Sequence, residues 1–286
     1  MKTCFITAGD INFASSRMRA YWVAEEMENA DVITLEDVVS DPDGISGYDV
    51  CIWQKTIDIN LIKSLPKTLH YWDVCDPSWW FQPEYCRQVL EYTSGVVCSN
   101  DALADDFKEW SGLDNVHAIP DRLKLSHFHK RRQHVDTDHI RFIWFGYSMN
   151  RIALWGAVAN LQRLKANGHK FTLTIMDDRP DAPVNFDFPV RHVKWSLENE
   201  VDILAAHDVA LLPPYPGAWG RVKSDNKSMA SIACGLPASS GVLYKRLEAC
   251  VTSHEERQRM VDDYADDIEE IFNVRESAHE WEVLLS

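Results

Sequence analysis

Short apolar runs alternate with amphipathic stretches along most of the chain, a pattern that predicts an α/β protein built on parallel sheets. The β-rich runs fall at residues 4–8, 32–35, 50–54, 69–74, 96–99 and 116–119, with helical spacing over 16–28, 84–92 and 101–110. The alternation restarts with runs at 140–146, 171–176, 190–195 and 209–212, and with helices over 152–165 and 198–206. Within 152–165, Ile152, Trp155, Val158, Leu161 and Leu164 recur every three or four residues and predict one inward face. Helical patterns over 254–272 and 276–285 close the chain.

Residues 127–139, HFHKRRQHVDTDH, interrupt this rhythm and predict a polar linker. The histidines there (His127, His129, His134, His139) match no ligand spacing of a helix or hairpin, so a metal site is the weaker reading. The expected domains are therefore 1–135 and 136–253, with 254–286 as C-terminal helices packing back toward the first domain. No solenoid-length repeat or low-complexity segment occurs.

Composition narrows the compartment and the partners. The chain has 286 residues, 45% hydrophobic and 26% charged, as in soluble globular proteins. It holds no apolar run of roughly 18 residues, so no transmembrane segment is expected. The opening MKTCFITAGD turns polar too soon for a signal peptide and reads as a first strand. Seven cysteines, with no Cys-x-x-Cys pair, favour a reducing cytoplasm over a disulfide framework or zinc site. The net charge of −15 argues against a broad nucleic-acid footprint. Much of the acidic excess, from Glu255 through Asp262, Asp263, Asp266 and Asp267 to Glu270, reads as the wet face of an amphipathic helix. Met260, Val261, Tyr264, Ile268 and Ile271 would form its dry face.

The stretch 208–241 holds the most suggestive chemistry. A buried strand ends at Pro213-Pro214, and helical spacing then runs over 223–234 to Gly235, with Ser224 or Asp225 as the cap. Arg221, Lys223 and Lys227 flank that expected helix start, where a diphosphate would be welcome. An ordinary strand–helix unit with a solvated basic end is the competing reading.

These segments together resemble the retaining glycosyltransferases of the GT-B architecture, in their family-four branch. Asp208–Pro214, Lys223-Ser224-Asp225-Asn226-Lys227 and Ala233–Pro237 resemble the donor-binding signature. Ile140–Gly146 resembles the strand and glycine that open the donor domain, and Val116–Pro120 the interdomain segment. Tyr71–Pro77 and Val96–Ser99 resemble consecutive strands of the first domain, so the likeness runs in order through most of the chain. It implies two facing Rossmann-like domains and a nucleotide-sugar-dependent, hexosyl-type transferase that needs no metal and retains anomeric configuration. Three departures stand out. The two glutamates of the family signature fall on Ala230 and Val222, which leaves Asp225 as a substitute for holding the donor ribose. The chain is short for the family, and Asn12–Arg17 replaces a glycine-rich first loop.

The resemblance implies Asp76, Arg151 and Lys227 as catalytic groups. It implies Gly146, Asn150, Arg151, Lys223, Ser224, Asp225, Asn226 and Lys227 around the donor. Ser15, Ser16, Arg17, Arg19, Asp73 and Trp79 would serve an acceptor or phosphate loop. Neither Asp73/Asp76 nor Asp177-Asp178 has the Asp-x-Asp spacing of a metal-dependent site, so no metal is expected. Trp72, Trp79, Trp80 and Phe81 read equally as a sugar platform or as core. A glycan, a lipid-linked sugar or a small metabolite is the expected acceptor; a modified DNA base is an alternative that the acidic balance disfavours. A degenerate member that binds nucleotide or glycan without turnover is the non-enzyme alternative. A Rossmann dehydrogenase lacks its Gly-x-Gly-x-x-Gly turn here.

Overall fold

A computed structural model describes the backbone of residues 1–286 and the side chains of all but residues 265 and 266. The chain forms two compact units: Met1–Lys124 with Arg221–Ser224 and Phe272–Ser286, and Leu125–Gly220 with Asp225–Ile271.

The first unit carries a parallel sheet of β1 (Thr3–Thr7), β2 (Ala30–Thr34), β3 (Val50–Gln54), β4 (Leu69–Val74), β5 (Gly95–Cys98) and β6 (Val116–Ala118). Its order is β2-β1-β3-β4-β5-β6. β1, β3 and β5 are buried throughout, as helices on both faces of a parallel sheet require. Side-chain caps set several helix starts: Asp58 accepts from the N–H groups of Asn60 and Leu61, and Asn100 from that of Leu103. The helix Val274–Leu285 returns to this unit, with Trp281 edge-on to Phe5 and Tyr71. Each large side chain buried this way contributes about 1.5–3 kcal/mol.

The second unit carries β7 (His139–Phe145), β8 (Lys170–Asp177), β9 (Val190–Lys194), β10 (Val209–Leu211) and β11 (Ala238–Ser239), in the parallel order β11-β10-β7-β8-β9. Its core centres on Phe142, Trp144, Leu161, Leu173, Ile175 and Leu211.

The structure departs from the expected pattern at four places. Residues 127–139 form no free linker: His127 meets Glu200, Lys130 meets Asp202, Arg132 meets Asp208, and the His134 Nε2–H donates to the Gly235 carbonyl. A polar sequence looks solvated, yet here every one of those partners lies more than 70 residues ahead. Gly235 makes the contact possible, because at φ 75° a Cβ there would sit 2.7 Å from the Arg132 carbonyl oxygen.

The second departure is one of phase. The helix expected over 152–165 opens as a 3₁₀ segment, Ser148–Leu154, before the α-helix Trp155–Ala166. Three residues per turn shift the inward stripe, so Ile152 and Trp155 are 52% and 62% exposed while Leu154 and Ala157 are buried. Third, residues 254–272 break into His254–Asp262 and Ala265–Glu270, with Val261 and Ile268 buried and Tyr264 and Ile271 exposed. The Asp266 side chain lies outside the described residues. Fourth, the helix expected over 223–234 starts only at Asn226 and runs to Ala233, while a separate short helix, Trp219–Val222, precedes it.

Candidate functional site

Ligands of open parallel sheets sit beyond the carboxyl ends of the strands, where strand order reverses and the flanking loops diverge. Each unit has one such point: between β1 and β3 in the first, between β7 and β10 in the second.

In the second unit, β7 is followed directly by Gly146, whose φ of 147° lies where residues with a Cβ are strained. A Cβ on Gly146 would meet the Lys227 Nζ at 2.8 Å. Lys227 belongs to the helix Asn226–Ala233 after β10, and its ammonium lies 5.3 Å from the Trp144 ring centre. The two strands that flank the reversal thus bring glycine and ammonium together, beside the positive end of a helix. Asp225 stands at the N-cap position but makes no side-chain cap, and Asn226 opens the helix. Asn150 lies in the 3₁₀ segment after Gly146 and is half-buried.

Arg151 is placed differently from the expectation. It is buried and donates through Nε and Nη2 to Asp177, through Nη1 to the Ala182 carbonyl, and through Nη2 to the Arg179 carbonyl. Those bonds pin residues 177–182 at the end of β8. They occupy four of the five guanidinium N–H donors, so any phosphate contact is confined to the remaining one on Nη1. Asp178, next to it, accepts from the Ser148 N–H at 2.6 Å.

In the first unit, Arg19 and Arg17 lie in a π-helical turn, Arg17–Tyr21, and both are buried. Arg19 forks onto Asp73 and reaches Asp121 at 2.8 Å and the Ile119 carbonyl at 2.9 Å. Burial alone would lower its affinity for a proton, but the two carboxylates outweigh that and hold it charged. Arg17 donates to the Ile11 carbonyl at 3.2 Å and faces the Trp22 ring. These arginines brace the loop after β1 and tie β4 to residues 119–121. The Ser16 hydroxyl donates to Gln54 at 3.1 Å, whereas the Ser15 hydroxyl is buried with no hydrogen-bond partner among the described residues. Trp72 and Trp79 are core, at 3% and 2% exposure, so the four aromatics near Pro77 form no shared sugar platform. Trp79 and Trp80 both donate their indole N–H to Asp106; Phe81 is exposed.

Lys223 and Ser224 group with this unit and precede the helix that starts at Asn226 and carries Lys227. Ser224 donates to Asp121 at 2.6 Å, and Asn100 donates to the Val222 carbonyl at 3.0 Å. Val222 is itself buried among the core side chains here, which explains why that position carries no carboxylate. Lys223 lies 2.6 Å from one oxygen of Asp76, and Lys55 lies 2.9 Å from the other. Lys55 escaped the sequence reading. It is the first residue after β3 and, at φ 64°, the one non-glycine among the described residues with a left-handed backbone. Its ammonium also sits 5.2 Å from the ring centre of Phe13, so it spans the β1/β3 reversal. A charged residue directly after a fully buried strand was the available signal; the backbone conformation was not readable.

Burial tends to raise the Asp76 pKa, but Lys223 and then Lys55 outweigh it and hold the carboxyl below the usual range. The folded value therefore lies under the unfolded one, near 3.9. The stabilisation is full above about pH 4 and fades as pH falls through the depressed value. Asp76→Asn should accordingly lower folding stability at neutral pH, by about 1 kcal/mol or less per lost pair because the lysines are partly exposed. Its deficit should shrink toward pH 3. A deficit of constant size from pH 7 to pH 3 would show that the carboxylate charge is not what matters.

The Cys51 and Cys98 thiols, pushed up to about 12 by burial, offer no thiolate nucleophile.

The sequence matches no family model and no curated protein. Solved structures do resemble the whole chain. Anabaena HepE, determined with UDP and glucose, is 10% identical with a TM-score of 0.72, over 100% of this chain and 99% of that one. A glycosyltransferase from Rickettsia africae is 8% identical with a TM-score of 0.70, over 99% and 97%. An α-glucosyltransferase determined with UDP and a mismatched 13-mer DNA is 8% identical with a TM-score of 0.58, over 98% and 94%. The fold of this chain is the two-sheet GT-B fold.

Proposed function

We propose that this protein is a glycosyltransferase that moves a sugar from a nucleotide sugar to an acceptor. The observation that carries the proposal is Lys227 packed on Gly146 at the strand reversal of the second unit, within a chain that has the GT-B fold throughout. UDP is the first nucleotide to test, since HepE and the α-glucosyltransferase were determined with it.

In this reading the Lys227 ammonium and the positive end of its helix offset charge on the leaving diphosphate as the sugar carbon becomes cationic. The bond from the anomeric carbon to the diphosphate breaks, and a bond to the acceptor oxygen forms. The acceptor proton passes to the departing phosphate, which leaves configuration retained and asks for no carboxylate nucleophile. Asp76, held by two lysines in the first unit, orients acceptor hydroxyls. Asp225 is the candidate for the donor ribose, Val222 and Ala230 having no carboxylate. The reaction is proposed to need no metal, because Lys227 and the helix end supply the positive charge.

The acceptor is a glycan, a lipid-linked sugar or a small molecule. Seven free cysteines support a reducing, cytoplasmic setting. No helix among the described residues is long and apolar enough to cross a membrane.

Incubation with UDP-sugars, read as UDP release and as mass added to an acceptor pool, tests the reading. Release should be unchanged by EDTA. Release abolished by EDTA and restored by a divalent cation would contradict the metal-independent step. UDP binding without release or transfer across the panel would instead identify a binding protein.

A further inference from the structure

The first unit gathers cations where the fold reverses. Lys55, after β3, and Lys223 converge on opposite oxygens of one carboxylate, Asp76. Two ammonium groups and one carboxylate leave that cluster positive, in a chain whose net charge is −15. A surface that is acidic elsewhere gains nothing in solubility from such a spot. Nearby Arg19 is held by Asp73 and Asp121, both carboxylates being buried with it.

The backbone supports a role beyond an ordinary surface ion pair. Lys55 adopts φ 64°, a conformation that costs a residue with a Cβ on the order of 1 kcal/mol and that glycine adopts freely. Strain retained at a strand reversal, where ligands of such sheets bind, points to a use for this side chain. The lysine is aimed across the reversal, over Phe13 and onto Asp76.

We infer that the acceptor carries an anionic group, a phosphate or a carboxylate on a sugar, and that Lys55 and Lys223 bind it. Asp76 then holds the two ammonium groups in place before the acceptor arrives. On binding, the acceptor's anionic oxygens receive N–H donors from both lysines, and Asp76 is left to accept an acceptor hydroxyl. This rests on the transferase reading above and names the substrate class of its acceptor side.

The test is a thermal and calorimetric titration of the intact protein, with and without saturating UDP. The probes are a panel of hexose monophosphates and hexuronates, each beside its neutral hexose. At least one anionic sugar should bind about tenfold or more tightly than its neutral counterpart, as charge-assisted contacts imply. Lys55→Gly keeps the left-handed backbone accessible while removing the ammonium. It should lower affinity for the anionic sugar about tenfold and leave UDP affinity within about twofold, with Tm nearly unchanged as relief of strain offsets the lost pair. Lys55→Met should show the same loss of sugar affinity with a lower Tm than Lys55→Gly, since the strain stays. Equal binding of charged and neutral sugars, or no binding of any anionic sugar, would overturn the inference. So would a Lys55→Gly variant that loses UDP instead, since the lysine would then serve the donor. Sugar phosphate bound through Lys55 in a protein that does not bind UDP would uphold the anion site and sink the transferase reading.

Discussion

Arg19→Ala is expected to cost about 3–5 kcal/mol of folding stability, the largest stability effect of any substitution proposed in this chain. The side chain is 2% exposed and is shared by Asp73 and Asp121, which are buried beside it. Removing the guanidinium leaves two carboxylates facing each other with no cation between them, and strands the Ile119 carbonyl as well. Burial already pushes the Asp73 carboxyl above the usual range despite Arg19, so its loss would drive proton uptake. The unfolding midpoint in urea should fall steeply at pH 7 and recover in part as pH is lowered and the carboxylates are neutralised. Arg19→Lys should rescue little, because one ammonium cannot reproduce the fork onto Asp73 and the reach to Asp121. A loss below about 1 kcal/mol would mean the cluster behaves as an exposed ion pair.

The second large effect concerns nucleotide binding. Gly146→Ala places a methyl group 2.8 Å from the Lys227 Nζ and forces φ 147° on a residue with a Cβ. The ammonium must move or the end of β7 must shift. Either change should lower UDP affinity about tenfold or more, with a stability cost of about 1–3 kcal/mol from backbone strain. Lys227→Ala removes the charge without the strain, so its affinity loss should come with little change in Tm. Comparing the two separates the electrostatic contribution of the lysine from the shape of the turn that seats it.

Every strand but the two-residue β11 was legible because a parallel sheet covered on both faces demands apolar runs, as at 50–53 and 142–145. Helix phase was less legible. Residues 148–154 wind with three residues per turn, and no composition signal marks where that stops, so Ile152 and Trp155 look inward in sequence and face outward in the fold. The segment 127–139 was misread for another reason: its charges are partnered by Glu200, Asp202 and Asp208, and sequence spacing carries no trace of such distant pairs. The candidate site divides along the same line. Gly146 and Lys227 were readable from motif order, whereas the engagement of Arg19 with Asp73 and of Arg151 with Asp177 spans 54 and 26 residues. A cation in a motif announces its charge but not which carboxylate already holds it. Lys55 was hidden by a backbone angle.

The most direct measurement is a calorimetric titration of UDP into the wild-type protein and Lys227→Ala, repeated with EDTA. Binding to the wild type that EDTA does not change is expected, with affinity about tenfold or more weaker in the variant. No binding of UDP to the wild type, or equal affinity in the two proteins, would contradict the assignment of Lys227 and Gly146 to a nucleotide-sugar site.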